Sequence, residues 1–138
     1  FTKISFDSEE MSKIVLTLLN SNLFNLWWCS LSDARHITNH EYGIIRIDEN
    51  SLSLKKLPEL SISLMNDYST NAKRVVYQKR NGETIYDQFV PRKSKLIIDQ
   101  IDTILAEHYG FTEEELDYII NYDIKYRMGL GGEADDDE

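Results

Sequence analysis

The sequence predicts an α+β fold that is mostly helical, with one antiparallel β-hairpin and short extra strands. Three observations point there. Apolar residues recur at helical spacing in four separate stretches, the dipeptide Asn81-Gly82 sits between two runs of period two, and capping residues or glycine mark helix ends. At 138 residues and 41% apolar, the chain supports one domain with a real core and is too short for two of ordinary size. That domain is expected over residues 1–132, followed by an acidic, solvated and disordered tail at 133–138.

The first helix follows Asp7 and Ser8, either of which offers an N-cap. Its apolar positions are Ile14, Val15, Leu18, Leu19, Leu23, Leu26 and Trp27. Asn20 and Ser21 interrupt that stripe with side chains that compete for backbone hydrogen bonds, so one helix and two are both compatible with the pattern. "SLSDARHITNHEYG" has neither period and reads as an irregular connection, and "GIIRI" reads as a short strand. Pro58 suits a helix start, with Leu60, Leu64, Met65 and Tyr68 as the inward stripe down to about Asn71.

In "RVVYQKRNGETIYDQFV" the Asn-Gly pair is the preferred centre of a two-residue type I′ turn. With Arg80 opposite Glu83, Tyr77 faces Tyr86. One face then carries Val75, Tyr77, Lys79, Thr84, Tyr86 and Gln88, and the other Arg74, Val76, Arg80, Ile85, Asp87 and Phe89. Two strands alone are marginal, so the hairpin is expected to pack on something. Beyond Pro91, Ser94 offers a cap for a helix with Ile97, Ile98, Ile101, Ile104 and Leu105 inward, ending at Gly110 in a left-handed conformation. Thr112 and Glu115 form a capping box for a short helix with Leu116, Ile119 and Ile120 inward. From "NYDIKYRMG" onward the period is two, which favours a terminal strand with its aromatic side buried over a helix extension.

The net charge of −9 argues against a nucleic-acid partner until its distribution is considered. From Asp99 onward there are 13 acidic and 2 basic residues, whereas the stretch from Lys73 to Lys95 holds Lys73, Arg74, Lys79, Arg80, Arg92, Lys93 and Lys95 against Glu83 and Asp87. A local basic surface therefore lies inside an acidic chain. The first residue is Phe1, and neither a signal core nor a membrane-length apolar run is present, which suggests a piece of a longer cytoplasmic chain with no membrane partner. The single cysteine, Cys29, lies among Trp27, Trp28 and Leu31 and reads as core filler in a reducing compartment.

Catalytic signatures are weak. With Pro58 and Pro91 the only prolines, an Asn/Asp-Pro-Pro-aromatic motif that holds an amino group for methyl transfer cannot exist here. No glycine-rich strand-to-helix turn is present to cradle a cofactor. "DIK" at 123–125 is half a metal-nuclease pattern without its preceding Pro-Asp. His36, His40 and Glu41 have metal-ligand spacing only on a helix, and their segment does not read as one. No nucleophile with an adjacent base is evident. Binding chemistry is better supported: Lys79 and Arg80 at a hairpin tip suit phosphates or base edges, and Arg35-His36 in a polar connection suits base reading. The same cations also fit a wet hairpin face and a loop brace, and the tryptophan pair reads as core.

"NSNLFNLWWCSLSDARHI", Asn20 to Ile37, resembles the Asn-Ser, aromatic-rich, Ser-Asp-Gly-Arg-His segment in the target recognition domains of restriction-modification adenine methyltransferases, the TaqI-like and fused type II methylase-nuclease families. "FVPRKSKLIIDQIDTILAEHYGFTEEELDYIINYDIKYRMG", Phe89 to Gly129, is similar to the carboxy-terminal end of the same proteins. The two segments cover 59 of 138 residues, and the pattern departs at Ala34, where the family carries glycine. The resemblance implies the carboxy-terminal part of a target recognition domain in a bacterial or archaeal cytoplasm. An upstream domain of the same parent chain would bind S-adenosylmethionine and methylate adenine N6, with a nuclease fused or encoded separately. The piece itself would need no cofactor and catalyse nothing. It would hold double-stranded DNA through the 73–95 stretch and read bases with Arg35 and His36. Docking on the methyltransferase domain without DNA contact is the alternative, and "NYDIKYRMG" becomes a structural signature that packs on the domain.

Overall fold

Ser8 opens the first helix, α1 (Glu9–Leu19), by accepting a hydrogen bond from the Met11 amide at 3.0 Å. The computed structural model describes residues 3–122 apart from 34, 39, 40, 42, 44 and 49. Asn20 and Ser21 do break the stripe. Asn20 Nδ2 turns back to the Leu16 carbonyl at 2.8 Å, Ser21 Oγ accepts from the Phe24 amide at 3.0 Å, and a second helix, α2 (Asn22–Leu31), leaves at 66° to the first. A 3-10 turn at Ser53–Lys56 leads into α3 (Leu57–Asn71), with Pro58 in its first turn. The strands β1 (Lys73–Lys79) and β2 (Gly82–Gln88) follow, then a 3-10 turn at Pro91–Ser94, α4 (Lys95–Tyr109) and α5 (Glu113–Asn121). The fold is α+β.

The core forms around α4, which touches α1, α2, α3, α5 and both 3-10 turns. Its Ile98, Ile101 and Leu105 are buried, as the i, i+3, i+4 spacing requires, and they meet Ile14, Leu18, Leu23, Phe24, Leu54, Leu57, Leu64, Tyr68 and Ile119. Gly110 ends α4 at φ 74°, and Thr112 with Glu115 closes a reciprocal capping box on α5. Among these apolar side chains sits one carboxylate, Asp102, 1% exposed. Its Oδ1 accepts from the Leu23 amide at 3.0 Å, and its Oδ2 from the Asn22 amide at 3.2 Å and Asn22 Nδ2 at 2.8 Å. Asp102 thus satisfies the first orphan N–H groups of α2 from 80 residues away, complementing the positive end of that helix. Burial nevertheless wins over those bonds and pushes the carboxyl from 3.8 up to about 6.

Several expectations are corrected. Cys29 is exposed, because Leu23, Phe24, Leu26 and Trp27 occupy the inward arc of α2 and the next helical step carries the thiol off it. The expected strand at residues 43–47 does not form among its described residues: Gly43 is helical, while Ile45 and Ile47 pack on the core as an irregular segment. The Arg46 carbonyl there accepts from the Tyr109 hydroxyl at 2.9 Å, so a side chain supplies the bond a partner strand would have given. Ser94 stands before α4 without capping it, its hydroxyl donating instead to Asp67 of α3. Of "NYDIKYRMG", Asn121 ends α5 and Tyr122 keeps a right-handed helical conformation. The remainder, with the expected terminal strand and acidic tail, lies outside the described residues.

The hairpin exists with its register moved by two residues. Lys79 pairs with Gly82, Tyr77 with Thr84, Val76 with Ile85, Val75 with Tyr86 and Arg74 with Asp87, so Arg80 and Asn81 form the turn and Tyr77 does not face Tyr86. A two-residue slide leaves every side chain on its expected face, which is why alternation alone could not choose between the registers. Charge does choose. The observed pairing sets Arg74 against Asp87 and Gln78 against Glu83, and Gly82 takes φ 130°, which glycine adopts at no steric cost.

Candidate nucleic-acid interface

Ala72 alone separates α3 from β1, and its extended backbone turns the chain sharply out of the helix. The returning strand is secured at its end by Phe89, whose ring lies 5.7 Å from that of Tyr68, a buried residue of α3. Just beyond, the buried Ser94 hydroxyl donates to Asp67. The hairpin is therefore fastened to the helical core at its base. Past that base it stands free, contrary to the expectation that it packs on something: Val75 is half-buried and every other residue of both strands is exposed.

Both faces of this arm are consequently wet. Val76 (51% exposed) and Ile85 (55%) lie on one face, Tyr77 (58%) and Tyr86 (48%) on the other. The register holds the arm together through its polar cross-strand pairs. Arg74 Nε and Nη2 donate to the two Asp87 oxygens at 3.0 and 3.3 Å, a bidentate pair whose hydrogen bond, then its charge, pushes the guanidinium further up, and Gln78 Nε2 donates to Glu83.

The seven basic residues of the 73–95 stretch are thereby sorted. Arg74 is taken by Asp87, and Lys95, half-buried, donates to both Asp99 oxygens at 2.8 Å one helical turn on. Lys73, Lys79, Arg80, Arg92 and Lys93 are exposed and pair with no carboxylate among the described residues. Three of these lie on the arm: Lys73 at its base, Lys79 and Arg80 at its tip. Arg92 and Lys93 follow in the 3-10 turn that leads back to the core. Charge, tyrosine faces and an unobstructed reach thus coincide on one element.

Arg35 and His36 belong to a different element, the irregular connection after α2. Both are exposed, the Arg35 amide donates to Asp33 Oδ1 at 3.0 Å, and the His36 carbonyl accepts from Trp28 Nε1 at 3.5 Å. Both residues are held through their backbones, leaving the guanidinium and imidazole outside those bonds. The tryptophans pack against the core, Trp27 edge-on to Tyr109 with ring centroids 5.4 Å apart. Of the metal-spaced trio, His40 lies outside the described residues; among those described, no group of three His, Cys, Asp or Glu side chains is placed to hold an ion.

Two features escaped the sequence reading. One is the turn itself, whose two residues are Arg80 and Asn81 rather than Asn81 and Gly82. The other is an apolar groove of about 350 Å3 between α2 and α5, lined by Leu23, Leu26, Trp27, Phe111, Tyr118 and Ile119 with Glu114 and Glu115 at its edge. Its walls come from two helices far apart in sequence, and no local pattern announces it. No helix among the described residues is long and apolar enough to cross a membrane. No family model matches the chain, and no curated protein or solved structure matches it either.

Proposed function

We propose that this chain is a DNA target-recognition module that holds duplex DNA with its hairpin arm and does no chemistry itself. The observation that carries the reading is the free-standing hairpin, fastened at Tyr68, Phe89 and Ser94 and presenting Lys73, Lys79 and Arg80, which form no ion pair among the described residues, beside exposed tyrosines. Lysine and arginine that release counterions from phosphates supply most of the affinity for a duplex, and tyrosines add stacking or groove contact. The resemblance of Asn20–Ile37 and Phe89–Gly129 to adenine-methyltransferase recognition domains supports the same partner. On that reading the parent chain supplies the S-adenosylmethionine domain that methylates adenine in a bacterial or archaeal cytoplasm, and Arg35 with His36 adds base contacts. The groove between α2 and α5 favours a second role in which the module docks on that methyltransferase domain through an apolar face.

The test is binding to a random-sequence duplex pool across about 50 to 200 mM salt. Each phosphate neutralised adds about 0.9 to the slope of log affinity against log salt, so three arm cations predict a loss of roughly 40-fold over that range. The double variant Lys79→Glu, Arg80→Glu is expected to lose most of that dependence. Salt-sensitive binding that survives the double variant would remove the arm from the interface, and no salt-sensitive binding would favour docking instead.

A further inference from the structure

The geometry points to the arm entering the major groove of B-form DNA, with Arg80 and Asn81 reading purine edges there. This rests on the duplex-binding reading above and deepens it by moving sequence reading to the arm's tip. Shape is the first argument. Each strand has seven residues, so the arm reaches about 20 Å at roughly 3.3 Å per residue. The major groove is about 12 Å wide and 8.5 Å deep and admits a two-stranded ribbon, whereas the minor groove, about 6 Å wide, does not. The arm is thus long enough to place its outer half at the groove floor while its base stays outside.

Chemistry is the second argument. The observed register puts Arg80 and Asn81, and no other residues, between the paired ends Lys79 and Gly82. Arginine donates two parallel bonds to guanine O6 and N7, and asparagine pairs with adenine N6 and N7, the two best-matched side chains for purine edges in this groove. Neither side chain is committed within the arm: Arg80 forms no ion pair among the described residues, and the polar pairs that hold the strands together are Arg74–Asp87 and Gln78–Glu83. Lys79 and Lys73, at either end of β1, are left to span the phosphates on the groove's rim. Holding the arm at Tyr68 and Asp67 fixes the direction from which the tip arrives, which a base-reading contact needs and a purely electrostatic one does not.

The experiment uses the same duplex pool, sequenced after selection, with the wild-type chain, Arg80→Lys and Asn81→Gly. Lysine keeps the charge and lacks the planar fork; glycine suits the turn and lacks the amide. The expected result is that wild type enriches particular purines at neighbouring positions. Arg80→Lys then loses about ten-fold in preference at one of them and Asn81→Gly a similar amount at another, the discrimination one bidentate contact provides. Replacing the purine that Arg80 prefers with its 7-deaza form, which deletes an acceptor facing the major groove alone, is expected to weaken wild type about ten-fold and Arg80→Lys little. Salt-sensitive binding with no enrichment, or an enrichment that both variants retain, overturns the tip as reader and leaves the arm as a phosphate grip. Absence of salt-sensitive binding by wild type overturns the duplex-binding reading itself.

Discussion

Replacing Asp102 with asparagine tests how a buried carboxylate is tolerated at the centre of this fold. Three N–H donors from Asn22 and Leu23 converge on it at 2.8 to 3.2 Å, yet it is 1% exposed, and burial lifts its carboxyl from 3.8 to about 6. The folded chain therefore binds that proton more tightly than the unfolded chain does. The associated stabilisation is complete below pH 3.8 and is lost as pH rises through about 6. At about 1.4 kcal/mol per tenfold change in proton affinity, the whole effect is on the order of 3 kcal/mol, of which about 1 kcal/mol falls between pH 5 and pH 7. Asparagine cannot titrate, and its amide turns donors toward donors, so Asp102→Asn is expected to be less stable than wild type by about 2 kcal/mol at pH 7. That deficit is expected to widen toward pH 5. Urea denaturation of both proteins followed by far-UV circular dichroism from pH 5 to pH 7 reads the difference, in which titrations common to both cancel. A deficit independent of pH would show that burial does not control this carboxyl. A deficit that stays flat from pH 5 to pH 7 and shrinks only when the titration is extended below about pH 4 would show that the converging N–H groups outweigh burial.

Other consequences are simpler to check. Thr112→Ala removes one half of the capping box on α5 and is expected to cost about 1 kcal/mol in thermal or urea unfolding. Val76→Thr and Tyr77→Ser, which would be expensive in a packed hairpin, are expected to change global stability by no more than about 0.5 kcal/mol. Larger losses by calorimetry would mean that the arm packs against the core rather than projecting from it.

The helices were legible because their signals are local. Ser8, Pro58, Gly110 and the Thr112–Glu115 pair each act within a turn or two of their own position, and the apolar stripes need only a 3.6-residue repeat. What failed was long-range. Asp102 reaches the start of α2 across 80 residues, and no local pattern in its own helix announces that partner. The hairpin was legible as a hairpin, but its register, with Arg74 across from Asp87, and its exposure, with no facing sheet among the described residues, are not written in alternation. Among the site residues the basic cluster was visible from composition, while the subset left unpaired was not: Arg74 needs the correct register to find Asp87. Lys95 is the exception, since Asp99 four positions on is a spacing that foretells its pairing.

On the duplex-binding proposal, an acidic chain must keep its own charge away from the duplex, and the order of elements suits this. The arm leaves the core at the amino-terminal end of α4, while Glu113, Glu114 and Glu115 open α5 beyond the other end of that helix. Fifteen residues of α4 separate the two regions by about 22 Å at 1.5 Å per residue. At physiological salt the Debye length is about 8 Å, so a duplex on the arm is largely screened from those carboxylates; at about 10 mM it is about 30 Å and they repel it. Binding through the arm is therefore expected to depart from a straight line in log affinity against log salt. The steep phosphate-release slope should hold from about 50 to 200 mM and flatten toward 10 mM, where repulsion from the body grows. Replacing Glu113, Glu114 and Glu115 with glutamine should restore the straight line by relieving that repulsion. A slope that stays constant down to 10 mM in both proteins would place the duplex where the acidic end does not reach it at any salt, or would mean that the arm is not its seat.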